Sequence, residues 1–283
     1  MDQICGMFGI SRQAHYQKTW RESDREQENA MILEMVRKIR RKHARMGTRK
    51  LLDKIQPRLA NHGLRIGRDG LFDLLRRQNL LVQPKKTFRR TTVPNHYRAP
   101  NRLPGLTIAY PNQVWVCDIT YLVLEVNRFA YLFLLMDLFS RCILGWHVAS
   151  SLSATGAVAS LEMSLSQLGY PPFGLIHHSD HGFQYTSHGY MEILLQHHIL
   201  PSMGAIGNCY DNIYAERVIG ILKNEYSLDR LFVDFSQVEP VVNEAIRLYN
   251  TDRPHLSLKM ATPKEVYAGI VADVPRISIP AVR

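Results

Sequence analysis

The chain has 283 residues, 46% of them hydrophobic, and a formal net charge of +10. No run of about 20 uninterrupted apolar residues occurs, and residues 1–20 lack the apolar core of a signal peptide, so a soluble, cytoplasmic protein is expected. Cys5, Cys117, Cys142 and Cys209 form no Cys-x-x-Cys pair, which excludes a disulfide framework or a structural zinc knuckle and leaves them as small apolar or spacer residues.

The charge is unevenly placed. Residues 1–105 hold 24 lysines and arginines against 9 acidic residues, whereas residues 106–283 hold 11 against 16. A basic N-terminal third joined to a mildly acidic body suggests a segment that grips a polyanion attached to one that holds cations. The density of Arg37-Lys38-Ile39-Arg40-Arg41-Lys42, and of Lys85-Lys86 with Arg89-Arg90, favours nucleic acid over a merely solvated surface.

Residues 1–82 form the first predicted region, helical throughout. From Ser23 to His43, Met31, Leu33, Met35, Val36 and Ile39 recur near helical spacing. Gly47 is read as a stop and Thr48 as the N-cap of a second helix to Leu59, which ends at Asn61-His62-Gly63. A third helix from Arg68 to about Asn79 turns Leu71, Phe72, Leu74 and Leu75 inward and leaves Arg68, Arg76 and Arg77 outward. Two short helices across a glycine-containing turn resemble a helix-turn-helix, with Arg49 and Lys50 beside those three arginines as DNA contacts. A helical packing module without DNA contact is the alternative.

Residues 83–113, interrupted by Pro84, Pro94, Pro100, Pro104 and Pro111, read as an extended basic linker. Folded structure is expected to resume with the core at 114–230. Val114 to Val126, Arg128 to Asp137 and Cys142 to Val148 are three strand-like runs with short connections, hence an antiparallel meander. Ala154 to Leu168 is a helix, and Phe173 to His177 a short buried strand delivering Ser179 and Asp180. A helix from Ser187 to His198, a strand near Leu200 and a helix from Asp211 to Tyr226 follow. The order matches an α/β, ribonuclease-H-like mixed sheet. Residues 231–283, with helices at Ser236 to Tyr249 and Thr262 to Ala268, form a helical extension of that core.

Three acidic residues carry the chemistry. Asp118 lies in a strand, Asp180 in a Ser-Asp-His-Gly turn, and Glu216, after 35 intervening residues, on a helix. Phosphodiester cleavage requires a strong nucleophile and neutralisation of the attacking and leaving oxygens, which two divalent cations on carboxylate oxygens supply. For any one of these acids a capping or surface role is the plain alternative. His178 and His181 flank Asp180 without the spacing of a metal-ligand set and are read as hydrogen-bonding support. Asn208, Asp211 and Asn212 are read as caps of the helix bearing Glu216, and Gln184 and Tyr185 as lining a DNA path.

The segments Trp-Val-Cys-Asp-Ile-Thr-Tyr at 115–121, His-Ser-Asp-His-Gly-Phe-Gln-Tyr-Thr-Ser at 178–187 and Gly-Asn-Cys-Tyr-Asp-Asn at 207–212, with Ala-Glu-Arg at 215–217, resemble the transposases of bacterial insertion sequences. The similar group is encoded by two overlapping frames, OrfA and OrfB, and this chain resembles OrfB, with a retroviral-integrase-like core. Asn250 and Arg253-Pro254-His255 are similar to its C-terminal signature, and Ile4 to Tyr16 with Met46 to Leu80 to its N-terminal helices. The resemblance implies Asp118, Asp180 and Glu216 as catalytic residues and as ligands of two Mg²⁺ ions, replaceable by Mn²⁺, and Lys223 as a residue that holds DNA phosphate; a merely exposed lysine is the alternative. It implies as partners the DNA of element ends and target, an OrfA product or OrfA-OrfB fusion, and a homo-oligomer assembled on DNA. Cys117, His181 and Tyr210 depart from the Thr, Gln and Trp common at those places, which bears on substrate preference. A nuclease of the same fold that does not join strands, and a catalytically silent DNA-binding regulator, are the competing functions.

Overall fold

The computed structural model describes residues 12–82, 99–125, 128–169, 171–204, 212–271 and 273–281. Cys5, Asn127, Asn208, Cys209, Tyr210, Asp211 and the Lys85-Lys86 and Arg89-Arg90 pairs lie outside them, as does most of Ile4 to Tyr16. The chain divides into two compact units, Met1–Gln83 and Pro84–Arg283. No helix among the described residues is long and apolar enough to cross a membrane.

The first unit contains α1 (Arg12–Arg40), α2 (Thr48–Asn61) and α3 (Arg68–Arg77). Ile32, Val36 and Ile39 of α1, Leu51, Ile55 and Leu59 of α2, and Leu71, Leu74 and Leu75 of α3 share one core; their recurrence at three and four residues gives each helix an apolar stripe. The inward face of α1 is the expected one at Leu33, Val36 and Ile39, and differs at its start, where Ile32 is buried and Met31 is 40% exposed. Gly47, extended at φ −70° and ψ 154°, takes the N-cap position of α2, and Thr48 opens the helix.

The basic run is not uniformly outward. Arg40 donates to the carbonyls of Leu80 and Met46, so it straps the end of α1 to the segment after α3. Lys50 is 8% exposed, next to Thr48 and Leu51 in the buried seam of α2, which withdraws its ammonium from the surface where a DNA contact was expected. Arg49, Arg68, Arg76 and Arg77 are exposed. Of these, Arg68 pairs with Asp69 at 2.8 Å and Arg76 pairs with Asp73, exposed ion pairs of small net value.

The second unit is built on a sheet of β2 (Val114–Val123), β3 (Phe129–Asp137), β4 (Ile143–Ala149), β5 (Ile176–Ser179) and β6 (Leu200–Met203), in the order β4-β3-β2-β5-β6. β2, β3 and β4 are antiparallel, and β5 and β6 join β2 in parallel. Helix α4 (Ala154–Ser166) crosses from β4 to β5, and α5 (His188–Gln196) from β5 to β6; α6 (Ile213–Glu225), α7 (Val238–Thr251) and α8 (Pro263–Tyr267) follow. The period of two along β2 sends Val114, Val116 and Leu122 to one face, under α6 and α7, and Trp115 and Cys117 to the other, under α4 and α5. Each fully buried leucine of these layers contributes about 2 kcal/mol by its removal from water. At Gly145 on β4 a Cβ would meet the Ser160 carbonyl oxygen at 1.9 Å, so glycine alone lets α4 lie this close to the sheet.

Two expectations about extent are corrected. β5 starts at Ile176 rather than Phe173, because Phe173 is fully exposed and Gly174 turns the chain at φ +69°. Residues 99–113, expected as linker, belong to the folded unit: Leu103 and Ile108 are in the core, and β1 (Thr107–Ile108) pairs with β7 (Ile277–Ser278). The prolines hide this segment from any local periodicity, and its partner strand lies some 170 residues away.

Candidate active site

The parallel ladder places two of the three acids. β2 and β5 pair as Val114 with Ile176, Trp115 with His177 and Val116 with His178, a constant offset of 62 residues. Carried two residues further, the offset opposes Asp118 to Asp180. Both share the parity of Val116 and Ile176, the face that α6 covers. Glu216 lies in the first turn of α6, where a carboxylate is favoured by the helix dipole. Ala215, Val218, Ile219 and Leu222 bury the inner side of that helix.

Electrostatics give the same grouping. Burial, followed by the repulsion of Asp180 and then of Glu216, pushes the Asp118 carboxyl up to about 8, against the pull of the Ile119 amide and of Lys223. Burial raises the Glu216 carboxyl as well. Lys223 is lowered by burial and held up by the attraction of Asp118, and its Nζ lies 5.2 Å from the centroid of the Tyr121 ring. It is a half-buried cation of the site rather than a solvated lysine.

Two backbone contacts set the acids. The Gly182 amide donates to Asp180 Oδ1 at 3.0 Å, and a Cβ at Gly182 would stand 3.0 Å from that oxygen and 2.9 Å from Gln184 Oε1. Gly182→Ala is therefore expected to displace Asp180 and slow DNA cleavage by about 10²-fold, the scale of a misplaced reacting group, with DNA affinity little changed. Single-turnover cleavage compared with binding of the same duplex checks this. On the other side, Asn212 Nδ2 donates to the Cys117 carbonyl at 2.9 Å, tying the start of α6 to β2 beside Asp118. Asn212 occupies the N-cap position without a side-chain cap bond, so its expected capping role is corrected to that of a tie between helix and strand.

The histidines serve as support. His178 Nδ1 and Ser202 Oγ are 2.9 Å apart, and His181 Nε2 meets the Gly204 carbonyl at 2.6 Å. His177, hydrogen-bonded to Tyr190 at 2.8 Å, is driven down to about 3 by burial and the neighbouring His178. Gln184 and Tyr185 are buried, the first donating to the Leu152 carbonyl at 3.1 Å and the second in ring contact with His177 and Tyr190. Both side chains are thus engaged in contacts within the protein.

Asp137 and Arg141 gave no signal in the local sequence pattern, and Asn250 and Arg253 of the C-terminal signature join them in supporting the site. Asp137 is fully buried, pushed up to about 6 by burial and held from going higher by Ser140 and the Asn112 amide. Its donors include the Ser140 amide at 2.7 Å and the Asn112 amide at 2.8 Å, so it closes the β3–β4 turn on the face opposite Asp118. Arg141 in that turn, at φ 62°, stacks its guanidinium 4.2 Å from the Tyr214 ring of α6. Asn250 accepts from the Ile143 amide at 3.0 Å and donates to the Ile143 carbonyl at 2.8 Å. Arg253 makes two 2.8 Å bonds to Glu225, the last residue of α6. Within the C-terminal signature, Arg253 thus holds the helix that carries Glu216 and Lys223, and Asn250 ties α7 to β4.

Among the described residues, no three His, Cys, Asp or Glu side chains already form a cation cage. The donor set nevertheless suits a hard cation: carboxylates that repel one another, with Asp118 raised by burial and by Asp180 although Lys223 attracts it. The buried Asn212 Oδ1, which has no hydrogen-bond partner, adds a further oxygen.

Two families, each described as an integrase core domain, match the chain over residues 109–209 and 197–263. The chain is 36% identical over 267 residues to the insertion element IS600 uncharacterized 31 kDa protein of Shigella sonnei, covering 92% of this chain and 96% of that one. To the transposase for insertion sequence element IS629 of Shigella sonnei it is 31% identical over 225 residues, 78% of this chain and 74% of the relative. Among solved structures, the HTLV-2 integrase catalytic core domain in complex with magnesium aligns at a TM-score of 0.44 and 21% identity, over 56% of this chain and 97% of that one.

Proposed function

The chain belongs to the insertion-sequence transposases built on an integrase core domain, and from that premise we propose that it cleaves element ends and joins them to target DNA at Asp118, Asp180 and Glu216. The observation that carries this reading is the β2–β5 register, Val114 with Ile176 to Val116 with His178, which continued by two residues brings Asp180 opposite Asp118 on the side of the sheet packed by the helix of Glu216. The Asp118 carboxyl, raised first by burial and then by the repulsion of Asp180, supports it, since acids gathered in a buried place call for positive charge.

The cofactor is a divalent cation, Mg²⁺ with two ions per site and Mn²⁺ as a substitute, held by the three carboxylates. When bound, such ions activate the attacking oxygen and neutralise the leaving one. Asp180 is kept in place by the Gly182 amide, and Asp118 by the rigid centre of the sheet. Lys223, drawn toward Asp118, brings a cation to the scissile phosphate. Arg49, Arg68, Arg76 and Arg77 of the helical unit meet the DNA backbone, Arg68 and Arg76 exchanging their exposed carboxylate partners for phosphate at little cost. An OrfA segment supplied in fusion, and a homo-oligomer on the DNA, complete the working assembly in the cytoplasm.

The test uses labelled duplexes from the DNA flanking the gene, Mg²⁺, and the OrfA-fused chain beside its Glu216→Gln variant. Cleaved and joined products are expected from the chain that carries Glu216 and none from the Glu216→Gln variant. Cleavage without joining would favour the nuclease reading, and binding without any product the regulator.

A further inference from the structure

We propose that the side-chain oxygen of Asn212 is a further ligand of the cation site formed by Asp118 and Glu216. This inference rests on the metal-dependent reading above and deepens it. The Asn212 amide group has a fixed orientation: its neighbour is the Cys117 carbonyl, which only accepts, so the nitrogen must face it, at 2.9 Å. The opposite atom, Oδ1, is then buried with no hydrogen-bond partner. A buried acceptor left in this state costs the native fold free energy, and capping, the ordinary use of asparagine at a helix start, is absent although the residue stands at the N-cap position.

The position of Asn212 gives that oxygen a partner. Cys117, to which the amide is tied, immediately precedes Asp118. Asn212 precedes Glu216 by four residues, which places the two on one side of the helix start. The tie therefore fixes Asn212 between the two segments that present the carboxylates. A neutral amide oxygen is a hard ligand of the kind that Mg²⁺ accepts, and it adds no negative charge where Asp118 is already repelled by Asp180 and Glu216.

The experiment is a titration of the full chain with MnCl₂, without DNA, reading bound ion by electron paramagnetic resonance and the unfolding midpoint in parallel. Asn212→Ala is expected to weaken Mn²⁺ binding about 10-fold, whereas Asn212→Asp, which keeps an oxygen and loses the donor to Cys117, should bind at least as tightly as the wild type. Equal weakening in both variants would reduce Asn212 to its tie and overturn the inference, as would an alanine variant that binds within about 2-fold of the wild type. If Asn212→Ala does not fold, the Asp variant decides alone, and weaker binding than the wild type counts against the inference. A wild type that binds no Mn²⁺, alone or with the element-end duplex added, overturns the metal-dependent reading and this inference with it; wild-type binding with unchanged variants overturns this inference only.

Discussion

Asp118→Asn is expected to abolish strand cleavage, a loss on the order of 10³-fold or more, and at the same time to stabilise the cation-free protein at pH 8. The two effects share one cause. The carboxyl stands at about 8 in the folded chain against an ordinary 3.8, chiefly through burial and the repulsion of Asp180. Ionising it therefore costs the native state: stability that is fully present below pH 3.8 is lost as the pH rises toward 8. Asparagine does not ionise, so the variant should match the wild type at pH 4 and exceed it progressively up to pH 8, by about 2 kcal/mol once the side chain's partial exposure is allowed for. Mg²⁺ should narrow the gap by stabilising the wild type alone. Urea midpoints at pH 4, 6 and 8, with and without Mg²⁺, check this; a variant less stable than the wild type at pH 8 without cation would show that the carboxylates do not repel one another as the fold implies.

The alternation along Val114 to Val123 made much of this site legible in the sequence. Strand period sends Val116 and Asp118 to one face, and the short strand ending in Ser179 has to deliver Asp180 nearby. The three strands of the meander, the helix order and Glu216 at the start of α6 follow from hydrophobic period and turn residues alone. The family motifs added the roles of the residues and the expectation of Lys223 in the same site.

What local pattern missed depends on distant partners. Lys50 reads as one more cation of a basic run until the seam of α2 closes over it. Residues 99–113 read as linker because the strand that pairs with Thr107–Ile108 lies at Ile277–Ser278. Asn212 offers the signature of a cap, and only the β2 backbone beside it turns the amide to Cys117. Gln184 and Tyr185 follow a catalytic motif in sequence and are buried in the fold, where the Leu152 carbonyl holds the first and the rings of His177 and Tyr190 hold the second.

The C-terminal signature has a comparably large expected effect. Arg253 is 2% exposed and doubly bonded to Glu225, with its guanidinium 5.7 Å from the Tyr249 ring centroid. Arg253→Ala removes the cation and leaves the carboxylate in a site built for a pair, a change that costs about 3–5 kcal/mol. Replacing both, as Arg253→Met with Glu225→Leu, removes the stranded charge and should recover most of that loss, so a double-mutant cycle on urea midpoints is expected to give a strong coupling energy. The consequence reaches the chemistry because Glu225 ends the helix on which Glu216 begins. Under conditions where Arg253→Ala remains folded, its cleavage rate should still fall while the double replacement regains stability without regaining the full rate, since an apolar contact fills the space but does not fix the helix end as two directed bonds do. Stability and rate that recover together would reduce the pair to a packing element.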